Sequence, residues 1–117
     1  MVAPAIASAA AIIFLDNKIL LIERQDGYGW CLPGGMLRGE ESVEEALVRE
    51  VHEETGFEVK TDCLFQIYSG KRGDPRWPSI CLVYCCNILR GQKRGSAEGR
   101  PCWIPIHVRG FLKRCQK

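Results

Sequence analysis

The segment from Ser42 to Gly56 carries every local signal of a helix, yet its last two turns place Glu50, Glu53 and Glu54 at i, i+3 and i+4. Ser42 followed three residues later by Glu45 is a capping-box pattern, and an acidic first turn suits the positive end of the helix dipole. Gly56 supplies a left-handed stop, after which Phe57-Glu58-Val59 reads as extended chain. At about 100° per residue, Val43, Leu47, Glu50 and Glu54 share one stripe, while Glu45 and His52 fall on the opposite, solvated face. The apolar stripe of the first two turns therefore runs straight into Glu50 and Glu54. An unpaired carboxylate facing a core costs on the order of several kcal/mol, and Arg49 is able to pair with one of the three but not with all. Acid-rich helices are ordinarily solvated surface, but that account fits poorly where the glutamates lie on the inward stripe. Clustered oxygen ligands suit a hard divalent cation, Mg²⁺ first and Mn²⁺ as the alternative.

The wider spacing carries more. Gly35, five residues, Glu41, seven residues and then Arg49-Glu50-Val51-His52-Glu53-Glu54-Thr55-Gly56-Phe57 resembles the Nudix box at all nine of its defined positions over 23 residues. The approach Gly29-Trp30-Cys31-Leu32-Pro33-Gly34-Gly35 is similar to the usual lead-in. The resemblance implies an α/β (α+β) Nudix fold, a mixed β-sheet sandwiched between α-helices. It also implies Mg²⁺-dependent hydrolysis of a diphosphate linkage in a nucleoside diphosphate joined to another group. Carried over by position, Glu50, Glu53 and Glu54 are metal ligands, and the Gly35 region offers a backbone carbonyl. Arg49 holds a box glutamate, and Glu41 either reaches the metal through water or braces its loop. The general base implied by the family is Glu50 or an acid on a later loop. Of the later acids Asp62, Asp74 and Glu98, Glu98 in the glycine-bounded stretch before Trp103 is the candidate. One departure stands out: where the family commonly has a glutamate and then a glycine just before Glu41, this chain has Arg38 and Glu40, with Gly39 between them.

Signals for the substrate are thinner. Tyr28, Trp30 and Trp77 are aromatics in or beside loops, able to stack on a base, and Arg24 and Arg76 are candidate substrate-binding cations. Each aromatic of this kind is more often packing than ligand contact. The basic, turn-rich stretch from Gly70 to Arg76 resembles the loop of ADP-ribose-type members, which tilts the expectation towards ADP-ribose or a dinucleotide-like substrate. Two alternatives stay open, a nucleoside triphosphate pyrophosphatase and a nucleotide-sensing module without catalysis. All the box acids are present, which speaks against the second.

At 117 residues the chain is read as a single domain, 1–117, with a core. A content of 46% hydrophobic and 26% charged residues is ordinary for a globular protein. The net charge of +2 conceals an asymmetry: eight of the 14 acids lie between Glu40 and Glu58, against a basic remainder that suits a phosphate-rich ligand. The basic residues form no stripe, and no nucleic-acid motif accompanies them, so the expected partner is a nucleotide-derived small molecule, with neither nucleic acid nor membrane. A homodimer is compatible with the family. Seven cysteines, an odd count lying mostly in apolar runs, point to thiols in a reducing cytoplasm rather than to disulfides or zinc. The alanine-rich start resembles a signal-peptide core but has no basic leader, and reads better as a strand. Expected elements are a hairpin of residues 5–15 and Lys18–Arg24, a loop from Gln25 to Glu40, and the box helix. Strands near Cys63–Tyr68, Ser79–Leu89 (central) and Trp103–Ile106 follow, then a short helix over Val108–Cys115.

Overall fold

The computed structural model describes residues 6–70 and 79–106. The expectations for Arg76, Trp77 and a helix over Val108–Cys115 lie outside the described residues. Among the described residues, seven strands and one helix follow in the order β1 (Ile6–Leu15), β2 (Lys18–Arg24), β3 (Trp30–Cys31), β4 (Gly34–Met36), α1 (Val43–Thr55), β5 (Phe57–Gly70), β6 (Ser79–Gly91) and β7 (Gly99–Pro105). β1 and β2 form the expected hairpin. Its two turn residues, Asp16 and Asn17, both adopt positive φ (50° and 62°), the backbone that a two-residue turn between twisted strands requires.

β1 organises the strands around it. It runs parallel to β6 and antiparallel to the short β4, and β6 pairs antiparallel with the edge strand β5. Beyond the hairpin turn, β2 pairs with β7 along its length and with β3 near its end. The alternation along β1 explains its apolar run from Ala9 to Leu15. Ala9, Ala11 and Ile13 face Leu47 and Val51 of α1, while Ile12 faces a second cluster with Ile19, Val83 and Cys85. A strand buried on both faces has no polar period. The alanines keep that strand thin, so helix and sheet approach closely. Burying Leu47 and Val51 contributes about 1.5–3 kcal/mol each.

The mixed α+β sheet layered on the box helix is as expected, and β6 is central. Three boundaries differ. β5 is one 14-residue strand, where the sequence showed two separate extended pieces. Its polar middle, Lys60-Thr61-Asp62, belongs to an edge strand, and register shifts interrupt its pairing with β6. The loop from Gln25 to Glu40 contains β3 and β4, too short and glycine-rich to show a strand pattern; they form because neighbouring strands offer partners. β7 begins at Gly99, four residues before the apolar run that announced it, since its register is set by β2. Among the described residues the layer on the far side of the sheet holds no helix, and none is long and apolar enough to cross a membrane.

α1 starts and stops as its sequence requires. Ser42 Oγ accepts from the Glu45 N–H (3.1 Å), and the Glu45 carboxylate accepts from the Ser42 N–H (2.9 Å). Gly56 is left-handed at φ 82°, and a Cβ there would lie 2.2 Å from the Gln92 carbonyl oxygen. Gly56→Ala combines a strained backbone, about 1 kcal/mol, with that clash. Its urea midpoint should fall by well over the amount the strain alone accounts for, at unchanged m value. A midpoint equal to wild type would show that the Gln92–Arg94 strap does not pack on this helix end.

Candidate active site

The glycine pair of β4 is what brings the box helix and the sheet together. Gly34 and Gly35 lie opposite Ala10 and Ala9 of β1, and a Cβ on Gly34 would sit 2.1 Å from the Ala9 carbonyl oxygen. On the helix side, the Gly34 N–H donates to Glu54 Oε1 at 2.7 Å. A Cβ on Gly35 would lie 2.6 Å from the carboxyl carbon of Glu50 and 2.8 Å from each of its oxygens. Only a residue without a side chain leaves room for that carboxylate.

Arg49 gathers the remaining acids. Its Nε and Nη2 donate to the two oxygens of Glu41 (2.6 and 2.9 Å), and Nη1 donates to Glu50 Oε1 (2.8 Å) and reaches Glu53 Oε2 at 3.5 Å. Nη2 also donates to the Met36 carbonyl (3.2 Å). All five N–H groups of the guanidinium are thereby engaged. The sequence allowed Arg49 one partner among the helix glutamates; it reaches two and takes Glu41 as well, because its forked head lies between helix and loop. Of the two roles open for Glu41, the contacts are those of a brace: it also accepts from the Arg38 N–H at 2.8 Å. These hydrogen bonds, chiefly from Arg49, hold the Glu41 carboxyl down at about 2. The same contacts raise the guanidinium of Arg49 above its ordinary value, Glu41 first and Glu50 second.

Glu54 stands apart from this network. It is 6% exposed, and burial pushes its carboxyl up to about 7, with the Gly34 N–H opposing and the charges of Glu98, Glu50 and Glu53 adding. Glu98 reaches it from another part of the chain. A tight turn between Ser96 and Gly99 holds Glu98, and its carbonyl accepts from the Gln25 N–H at 3.1 Å. Glu54 and Glu98 both line a cavity of about 330 Å³, together with Arg24 and Cys31.

The other expected contacts divide. Arg24 and Trp30 border a second recess of about 220 Å³ next to the first. Arg24 also pairs with Asp26 and lies 5.9 Å over the Tyr28 ring, and Tyr28 is 82% exposed. Sequence reasoning missed Cys31, which lines both the acidic cavity and an apolar one of about 440 Å³ that Ala10, Leu32, Tyr68 and Val83 also line. It also missed Arg38 as a neighbour of Glu53, at 3.7 Å. For Arg38 the signal was its departure from the box pattern; Cys31 offered none.

The donor set suits a hard cation in kind: carboxylates of Glu50, Glu53 and Glu54, with a glycine leaving space beside them. Among the described residues, however, no three His, Cys, Asp or Glu side chains already stand in a metal-holding arrangement. Glu50 and Glu53 point to Arg49 and Glu54 to the Gly34 N–H. Closing a shell requires Glu53, at 46% exposure, to turn away from its guanidinium partners.

The Glu54 shift has a consequence for stability without metal. Its folded value, about 7, lies above the ordinary 4.5, so its contribution is complete below pH 4.5 and is lost as pH rises through 7. In EDTA the protein should lose on the order of 3 kcal/mol from this group across that window. Glu54→Gln should flatten the slope in urea titrations between pH 4.5 and 7.5. An unchanged slope in the variant would place the titration elsewhere.

The NUDIX domain model matches residues 5–108. An ADP-ribose pyrophosphatase of Methanocaldococcus jannaschii is 40% identical over 100 residues, 83% of this chain and 59% of the relative. A MutT-like protein of Streptomyces ambofaciens is 36% identical over 94 residues, 80% of this chain and 58% of the relative. The crystal structure of an ADP-ribose pyrophosphatase from Streptococcus suis superposes with a TM-score of 0.75 at 27% identity, covering 96% of this chain and 90% of that one. The chain thus spans less than two thirds of the length of these two sequence relatives. With the glycine pair, the acid cluster and the helix in their places, the chain belongs to the NUDIX domain family.

Proposed function

We propose that this chain is the catalytic domain of a pyrophosphohydrolase that cleaves a diphosphate linkage in a nucleotide-derived substrate, with ADP-ribose or a dinucleotide-like compound preferred. The observation that carries the reading is the buried Glu54, next to Glu50 and Glu53 on the box helix, on the wall of a cavity that Glu98 lines from a separate loop. A purely structural helix has no use for a carboxylate that burial destabilises at neutral pH. The name of the 40% identical archaeal relative supports the choice of substrate. A second reading, a nucleoside triphosphate pyrophosphatase, is favoured by the MutT-like relative. Two buried and four half-buried cysteines among the described residues suit a reducing, cytoplasmic setting.

Mg²⁺ held by Glu50, Glu53, Glu54 and the Gly35 region would neutralise charge on the phosphate oxygens during attack by water. Arg49 keeps Glu50 oriented and, through Glu41, keeps the loop after β4 in place. Glu98 takes the proton of the attacking water, whose oxygen bonds to phosphorus as the bridging P–O bond breaks. Cleavage of ADP-ribose in this way yields AMP and ribose 5-phosphate.

Phosphate release after a coupled phosphatase, from ADP-ribose, diadenosine polyphosphates, NADH and ordinary and oxidised nucleoside triphosphates, tests the reading. Turnover should require Mg²⁺, be highest with ADP-ribose or a dinucleotide, and disappear in Glu54→Gln. Glu98→Gln should lower kcat by roughly 10²- to 10⁴-fold, the usual worth of a general base. Near-normal turnover in that variant would remove Glu98 from the mechanism. Silence across the panel from folded protein, with nucleotide bound, would replace the enzyme by a sensing module. Gly35→Ala should weaken Mg²⁺ binding by roughly 10- to 100-fold in titration calorimetry, since its Cβ displaces the Glu50 carboxylate. A wild-type isotherm would show that Glu50 needs no such space.

A further inference from the structure

We propose that Arg38, the residue that breaks the box pattern, is a phosphate-contacting residue that leaves Glu53 for a non-bridging oxygen of the substrate diphosphate. The inference rests on the proposed reaction and adds a residue to its substrate-binding set.

Four observations support it. First, the loop holding Arg38 is fixed at several points. The Leu37 N–H donates to the Ala7 carbonyl of β1 at 3.2 Å, and the Met36 carbonyl accepts from Arg49. The Arg38 N–H and carbonyl are both tied to Glu41, at 2.8 and 3.0 Å, in a turn that Gly39 allows at φ 49°. The backbone of residue 38 is therefore placed, and its side chain alone is left to move.

Second, the guanidinium is on the rim of the acid cluster. Nη1 lies 3.7 Å from Glu53 Oε1, and the side chain is 66% exposed. That distance is an ion pair without a hydrogen bond. An exposed pair of this kind is weak and exchanges readily.

Third, Arg49 is not available for the substrate. Its five N–H groups are spent on Glu41, Glu50, Glu53 and the Met36 carbonyl. Drawing it towards a phosphate would release the loop and Glu50 together. Arg38 gives up only a 3.7 Å contact, and keeps its bidentate face for an oxyanion.

Fourth, the charge around the site calls for it. Glu41, Glu50, Glu53 and Glu54 present four carboxylates, and Glu98 adds a fifth on the cavity wall. Arg49 is saturated and Arg24, on the cavity wall, is paired with Asp26, so a diphosphate meeting that cluster is repelled even after a divalent cation binds. Engagement of Glu53 by the cation would release Arg38 next to the place where the phosphates arrive.

The test is equilibrium binding of the methylene-bridged analogues of ADP-ribose and of diadenosine diphosphate in saturating Mg²⁺, by calorimetry, with Mg²⁺ binding measured separately. Arg38→Met should weaken the analogue that wild type binds by roughly 10- to 100-fold, the worth of a hydrogen bond to a charged group. Arg38→Lys should recover part of the loss, and Arg38→Glu, which restores the charge common in the family, should lose more than Met. Thermal melts of the variants should match wild type, as the side chain is on the surface. Equal analogue affinity in wild type and Arg38→Met overturns the assignment. So does an effect confined to Mg²⁺, with the variant binding the ion more tightly, because Arg38 would then be only a competitor for Glu53. Wild type that binds neither analogue and turns over nothing in the nucleotide panel defeats the proposed reaction, and the role of Arg38 falls with it.

Discussion

The short hydrogen bond from the Gly34 N–H to the buried Glu54 carboxylate is the contact on which the arrangement of this domain turns. It joins the box helix to a strand of three residues that would have no reason to form alone. β4 has two glycines and one exposed methionine, so neither propensity nor burial stabilises it. It exists because β1 offers it a ladder and α1 a hydrogen-bond acceptor. In turn β4 sets the Gly35 backbone against Glu50 and the Met36 carbonyl against Arg49. Disturbing that strand would scatter the carboxylates, although none of them belongs to it.

The acid cluster follows a division of labour that electrostatics makes intelligible. Arg49 neutralises Glu41 and Glu50 in a charge-assisted network that holds a loop closed against a helix. Glu54, out of reach of that guanidinium, has burial working against its charge and one backbone donor working for it. Two neighbouring residues of one helix, Glu53 and Glu54, consequently have different characters: the first exposed and exchangeable, the second buried and strained in its ionised form. Under the proposed reaction, a site that admits a cation and then phosphates would benefit from both, one carboxylate already in place and one able to turn. The thin β1, with alanine at the positions facing the helix, is what allows a carboxylate to be buried so near the sheet.

Much of this was legible in the chain. The helix limits, the capping box, the left-handed Gly56 and the inward stripe ending in Glu50 and Glu54 all follow from local chemistry, where a residue's neighbours are a few positions away. The β1–β2 turn and the central β6 were readable for the same reason. The extent of β5 was not, since its middle is polar on an exposed edge and its continuity comes from pairing with β6. β3 and β4 were hidden because two- and three-residue strands carry no periodicity. Arg24 was legible as the end of β2 and Tyr28 as a loop aromatic, whereas Trp30, read in or beside a loop, lies in β3; the ion pair and ring contact that tie Arg24 to Asp26 and Tyr28 were not legible.

Local order along 23 residues was enough to identify a box, a family resemblance and a set of acids that could not all be solvated. Spacing along one helix is a short-range property, and short-range properties are written directly in a sequence. Which acids share a cavity is not of that kind. Glu98 stands 44 positions from Glu54 and lines its cavity because β7 pairs with β2 and the Gln25 N–H binds the turn before it. Cys31 borders two cavities because β3 hangs on the end of β2. Arg38 faces Glu53 because a loop is pinned at both ends by contacts from β1 and Arg49. Each of these neighbours is delivered by strand pairing and closure between distant segments, a long-range cooperation that no local pattern encodes.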